Sequence, residues 1–397
     1  MRTMANWVPA RALAGCGVVA CLALSGAAPA TTTTPLNGAT ATTAAAVRPA
    51  VPLAFSSAPG WLNSVAAVSA NDVWAVGISM VGAGGGLISH WNGKRWSYIR
   101  AAGYFNGVAA RAAADVWAVG ATSQVGNVQT IAVHWNGRSW IRVPTPTLSS
   151  GGYFNAVAAT SASNAWAVGQ AGPAPGGTSP AQPLIEHWNG RHWTVQRFPS
   201  LPGGGQFAAV AALSAANAWA VGSAGSQTLV AHWNGTKWSR WASPNLGGPS
   251  ASRLSGVTVI AANNAWAVGD ASMPDLSSRT LTEFWNGRHW RLVPSPSRAG
   301  NAVLFGVTAS WAHNVWAVGT AYGTPGCIGE SCGPYLTLIM HWNGTRWKEV
   351  ASPNPEETIY VALNGVAAVT RDNIWAVGNA NSASTLILHW NGKAWSA

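Results

Sequence analysis

Val73-Trp74-Ala75-Val76-Gly77, followed by His90-Trp91-Asn92-Gly93-Lys94-Arg95-Trp96, decides the fold, because close copies of it occur seven times. The Trp-Ala-Val-Gly phrase is centred on Trp74, Trp117, Trp166, Trp219, Trp266, Trp316 and Trp375. The Trp-Asn-Gly phrase begins at Trp91, Trp135, Trp188, Trp233, Trp285, Trp342 and Trp390, and a further Trp closes each copy. A period of roughly 50 residues is that of stacked supersecondary units. Within the first copy the pattern reads as four short strands: Ser64–Val68, Val73–Val76, Leu87–Trp91 and Arg95–Ile99. Val, Ile, Trp and Tyr suit a pleated, half-buried surface.

The punctuation agrees with the strands. Asn-Gly between two such runs predicts a type I′ hairpin turn, in which both central residues take positive φ. Asp72, Asp115, Asn164, Asn217, Asn264, Asn314 and Asn373 stand two residues before each core Trp. Their interchange points to an Asx turn and a backbone role rather than acid chemistry. Four antiparallel strands in each of seven repeats make an all-β, seven-bladed β-propeller. Small residues in the first strand suit the narrow channel, and Trp in the later strands fills the widening gap between blades. Arg100, Arg142, Arg197, Arg240, Arg291 and Lys348 near the fourth strands discourage edge-to-edge pairing.

The last fourth strand stops almost at once, at Trp395-Ser396-Ala397. Residues 48–54 are therefore expected to pair with the last blade near Trp390 and complete it. Upstream, residues 1–30 read as a signal peptide, with Arg2 and Arg11, an apolar run from Ala12 to Gly26, and Ala28-Pro29-Ala30 at the cleavage site. Val18-Val19-Ala20-Cys21 also fits a lipobox, so attachment through Cys21 is the alternative to simple cleavage. Residues 31–50 are a Thr/Ala-rich linker, and 51–397 form the propeller. The expected location is outside the cell or on its surface, with no transmembrane span after cleavage.

Only 8% of residues are charged while 48% are hydrophobic, which excludes a disordered chain. The net charge of +11 becomes +9 once Arg2 and Arg11 leave with the leader. Export turns that basicity away from nucleic acid and toward anionic glycans, wall polymers or lipid headgroups. Cys327 and Cys332 are expected to form a small disulfide that pins a loop.

Turns between strands one and two, and three and four, are uniform across the repeats. The loops on the opposite face vary, and function tends to sit on variable loops held by a rigid scaffold. Candidate ligand-binding residues there are Tyr153, Tyr322, Tyr335 and Tyr360, which would stack on sugar rings, with Asp270 and Asp275. The uniform face carries a basic ring of Lys94, Arg95, Arg138, Arg191, Lys237, Arg288, Arg346 and Lys393. Solvated hairpin tips explain it, and an anionic surface is the alternative partner.

Six histidines, His90, His134, His187, His232, His341 and His389, precede the Trp-Asn-Gly turns. Equivalent positions in different blades stand too far apart to share an ion, and Phe284 replaces the seventh, so they read as packed aromatic positions rather than a metal site. Calcium binding by Asp270 with Asp275 lacks a loop signature. No nucleophile elbow, P-loop, dinucleotide fingerprint or zinc motif occurs, so no catalytic residue, metal or cofactor is expected.

The Val-Trp-Ala-Val-Gly strand, the tip before a second Trp, and Val143-Pro144 or Val293-Pro294 beyond it resemble tectonin-type propeller repeats, over about residues 51–397. Kelch-type propellers are a second relative, although their paired glycines do not recur. The tectonin resemblance implies a lectin-like module for microbial surface glycans. The expectation is a monomeric, exported, non-enzymatic binding module for glycan, cell-envelope polymer or protein. A protein-interaction scaffold is the alternative. A propeller enzyme acting on extracellular polysaccharide, with acids such as Glu330, Glu356 and Glu357 gathered at the channel mouth, ranks third.

Overall fold

The computed structural model describes residues 59–82, 84–122, 128–172, 180–246, 251–275, 277–298, 301–322, 334–355, 360–381 and 384–397. Seven four-stranded antiparallel sheets, each built from consecutive strands, form a ring with no helix among the described residues. Blade 1 holds Gly60–Ser69, Asp72–Ser79, Gly85–Trp91 and Trp96–Ala101, from the channel outward. The innermost strands of the other blades are Tyr104–Ala112, Gly152–Ser161, Gln206–Ser214, Ser252–Ala261, Ala302–Trp311 and Val361–Thr370.

Tryptophan joins the blades. Each Trp-Ala-Val-Gly indole packs against two indoles of the following blade. Trp166, for instance, lies 4.9 Å from Trp233 and 5.1 Å from Trp238, the second edge-on at 86°. The same triad recurs at every interface, including Trp375 with Trp91 and Trp96, which closes the ring. Such pairs add about 0.5–1.5 kcal/mol each beyond the area they bury. Trp166→Ala is therefore expected to cost about 3–5 kcal/mol, the range for emptying a buried aromatic site. Urea unfolding of the variant checks it, and a loss under 1 kcal/mol would mean that the triads are not what holds the blades.

A second tie runs around the channel. Asn364 Nδ2 donates to Leu62 O, Asn63 to Phe105 O, Asn106 to Phe154 O and Asn155 to Phe207 O, at 2.8–3.0 Å. Each buried amide thus bonds the backbone of the next blade, and the first of these bonds spans the junction of blades 7 and 1. Pro59 also bridges to Ser384 of blade 7. The expected pairing of residues 48–54 lies outside the described residues, as do Cys327, Cys332, Glu330, Glu356 and Glu357.

The Trp-Asn-Gly turns differ from the type I′ expectation. Four residues, not two, separate the paired Trp91 and Trp96, and the spacing is the same in every blade. Only the glycine has positive φ, 86° at Gly93 and 97° at Gly344. The Asn acts through its side chain instead: Asn92 Oδ1 accepts from the N–H of both Lys94 and Arg95. A side-chain carbonyl that mimics the backbone lets the Asn stay at negative φ.

Candidate functional site

The uniform face uses its recurrent residues for local ties. The imidazole of each histidine lies against the core Trp of its own blade, as His90 does on Trp74 with centroids 3.9 Å apart. Its Nε2 bonds the Asx of the neighbouring turn: His90 with Asp72, His134 with Asp115, His187 with Asn164, His232 with Asn217, His341 with Asn314 and His389 with Asn373. Phe284 cannot do this, and Asn264 Oδ1 in that blade is buried without a partner. Arg291 lies over the Phe284 ring instead, 5.2 Å from its centroid. Trp91 Nε1 donates to Ala70 O, and four other blades repeat the bond. Burial holds the His187, His232, His341 and His389 pKa values below the ordinary range. Among the described residues no three His, Cys, Asp or Glu side chains are grouped to hold a metal. All eight residues of the basic ring are exposed.

The opposite face holds the features that do not repeat. The first strands begin earlier than their small apolar stretches suggest, at Gly60 and Tyr104 in blades 1 and 2. This brings one residue of each blade to the channel mouth: Trp61, Tyr104, Tyr153, Gln206, Arg253, Val303 and Ala362. Blades 1–3 contribute an aromatic arc. Trp61 and Tyr104 are half-buried, whereas Tyr153 is 6% exposed, and its hydroxyl donates to Gln170. Burial pushes the Tyr153 phenol up to about 12.

Blades 4 and 5 contribute a polar arc. Arg253 Nε donates to Asp270 Oδ1 at 2.8 Å, and Asp270 is 1% exposed. Burial raises the Asp270 pKa, and the hydrogen bond and charge of Arg253 oppose the rise. The second oxygen, Asp270 Oδ2, and the neighbouring Gln206 Oε1 are buried without a protein partner. A buried acceptor left unbonded costs about 1–3 kcal/mol, and a donor from a ligand relieves that cost. Blades 6 and 7 close their side with Val303, Phe305 and Ala362 packed under Tyr360.

Tyr322 pairs across the strands with Tyr335, whose ring stands 4.8 Å from that of Tyr360. Asp275 is separate from these groups. It is exposed, and Oδ1 accepts from the backbone and hydroxyl of Ser277, which lowers its pKa. The four residues missing from the sequence reading are Trp61, Tyr104, Gln206 and Arg253. Their signal was a position that varies directly before an invariant bulky Leu or Phe.

Fold and mouth together define a seven-bladed propeller with a non-repeating channel opening. No family model and no curated protein matches the chain, so tectonin or kelch membership remains a resemblance. Solved structures share the fold. YCF48 bound to D1 peptide is 13% identical, with 86% of this chain and 95% of that one covered at TM-score 0.52. YCF48 from Cyanidioschyzon merolae is 15% identical, covering 86% and 98% at 0.52. A PL25 polysaccharide lyase, an ulvan lyase solved with a bound saccharide, is 10% identical, covering 87% and 97% at 0.55. That last likeness corrects the expectation of a non-enzymatic protein. The same ring carries a lyase, so the architecture gives no ground for excluding catalysis. Among the described residues no helix is long and apolar enough to cross a membrane.

Proposed function

We propose that the chain is an exported binding module that recognises a glycan or another cell-envelope ligand at the variable-face channel mouth. The observation that carries this is the non-repeating ring there. An aromatic arc, Trp61 and Tyr104, faces a polar arc in which Asp270 Oδ2 and Gln206 Oε1 are buried and unbonded. Aromatic faces take the apolar side of a sugar ring, and a few placed polar groups fix its orientation. Two proteins of this fold are solved with a peptide and with a saccharide bound, which supports the reading. Export follows from the signal-like residues 1–30, and Tyr335 and Tyr360 extend the aromatic surface toward blade 7.

The test is to screen the secreted protein against glycan and envelope-polymer arrays, then repeat it with Trp61→Ala, Tyr104→Ala and Arg253→Gln. Each substitution is expected to weaken binding about tenfold or more, equivalent to about 1.4 kcal/mol. The reading fails if no array member binds, or if binding survives all three changes together.

A further inference from the structure

The turn-bearing face has a charge pattern that a ligand at the opposite mouth leaves unexplained. Its fourteen turns and the residues flanking them carry ten cations, the eight of the basic ring with Arg111 and Arg371, against three carboxylates, Asp72, Asp115 and Asp372. Each carboxylate is engaged locally: Asp72 by His90, Asp115 by His134 and Arg111, and Asp372 by Arg371. None of the eight ring cations makes an ion pair among the described residues, and all eight are exposed.

Geometry limits what such a ring can hold. The cations stand at equivalent turns, one per blade and two in blade 1, so they are spread around the rim at one level. They do not converge, and a small anion would meet only one or two of them. A broad, flat field of negative charge meets them all.

A second observation selects the kind of field. Trp311 ends the innermost strand of blade 6 on this same face and is 54% exposed. The other blades place Ser69, Ala112, Ser161, Ser214, Ala261 and Thr370 at that position. Leu213, 40% exposed, is the penultimate residue of the innermost strand of blade 4, one position before Ser214. A soluble polyphosphate would satisfy the cations but has no apolar surface for the exposed indole, which stands edge-on to His313. At a bilayer surface, indole settles at the headgroup level, with its apolar body toward the acyl chains and its N–H in water.

We infer that the basic face docks on an anionic phospholipid bilayer, with Trp311 seated among the headgroups and the ring cations against the lipid phosphates. Each cation brought near such a surface adds roughly fivefold to partitioning, and salt screens the effect. This docking uses the face opposite the proposed ligand site, so the two readings stand or fall separately.

The experiment is co-sedimentation of the secreted protein with phosphatidylglycerol–phosphatidylcholine vesicles and with phosphatidylcholine alone, at low and high salt. The expected result is partitioning onto the anionic vesicles only, lost at high salt. Arg138→Gln, Arg191→Gln, Lys237→Gln and Arg288→Gln combined should lower it by nearly three orders of magnitude at low salt. Trp311→Ser should lower it several-fold with charge unchanged, while Trp61→Ala leaves it intact. The four ring cations and Trp311 are exposed, and circular dichroism of each variant, Trp61→Ala included, is expected to match the wild type. Absence of partitioning at low salt would overturn the proposal. So would partitioning indifferent to Trp311→Ser and abolished by soluble polyphosphate, which would assign the ring to a soluble polyanion.

Discussion

Gly222→Ala is expected to lower the stability of the propeller by about 3 kcal/mol or more, far beyond a typical surface glycine change. Gly222 ends the Trp-Ala-Val-Gly phrase of blade 4 and lies opposite Phe207 in the innermost strand. A bulge between Phe207 and Ala209 re-aims that strand, and a Cβ at Gly222 would overlap the carbonyl oxygen of Gln206 and approach Phe207 Cα to 2.9 Å. Both obstacles are backbone within a buried sheet, so no rotamer relieves them. The same overlap meets Gly77, Gly120, Gly169, Gly269, Gly319 and Gly378, which explains the glycine in all seven phrases. Gly203→Ala is the control, because nothing lies within 4 Å of a Cβ there. Equal urea midpoints for the two variants would refute the steric account.

The second large effect runs the other way. Glu186→Met and Glu283→Met are expected to stabilise the protein at neutral pH. Both glutamates occupy the position before the His or Phe of the third strand, where the other blades place Ser89, Val133, Ala231, Met340 and Leu388. Both are fully buried at blade interfaces. Neither oxygen of Glu186 has a protein partner, while Glu283 accepts from Ser243. Burial pushes each carboxyl up to about 8, with Ser243 partly opposing the rise at Glu283. Below the ordinary carboxylate pKa both folded and unfolded forms are protonated, and the groups leave stability unchanged. As pH rises from about 4.5 toward 8, only the unfolded chain gives up these protons, so stability falls, and the fall levels off above about 8. At pH 7 the penalty is on the order of 3 kcal/mol per glutamate. Wild-type protein should therefore be more stable at pH 5 than at pH 7.5, with the difference shrinking in each Met variant. A pH profile that Glu186→Met leaves unchanged would refute this.

The repeat made the architecture legible because seven copies average out local accident. Strand order and the packing of the histidines follow from positions that recur, whereas the Asx before the core Trp bonds the histidine Nε2 instead of the backbone expected of an Asx turn. What the sequence concealed depends on contacts across the repeat. The need for glycine after Trp-Ala-Val arises from a bulge in another strand, which no local pattern reveals. The asparagine ties link residues about one repeat apart, and Asn364 reaches Leu62 from the far end of the chain. Asn-Gly alone suggests a two-residue turn, whereas the pairing of Trp91 with Trp96 sets a four-residue one. The small apolar stretch conceals that the strand carrying Tyr153 begins at Gly152, so that Tyr153 is a strand residue and not a loop one. The mouth was partly visible through Tyr153 and Asp270, whereas Arg253, the partner of Asp270, lies seventeen residues away.

The asparagine ties also divide the ring mechanically. Four successive joints, from blade 7 round to blade 4, carry an amide bond with a fixed direction. The next three joints have Ala208, Ser255 and Phe305 at the corresponding positions, and none of the three carries an asparagine amide. Hydrogen bonds resist tilting, whereas apolar contacts are non-directional and tolerate sliding. The amides therefore fix those four joints near the channel, while the other three are bonded at other points, the Ser243 hydroxyl to Glu283, the Ser278 N–H to Asn301 and the Thr320 hydroxyl to Val361 O. Arg253 and Asp270 lie on the side without these amides, and Trp61, Tyr104 and Tyr153 on the side that has them, so the two arcs of the mouth are anchored by different bonds.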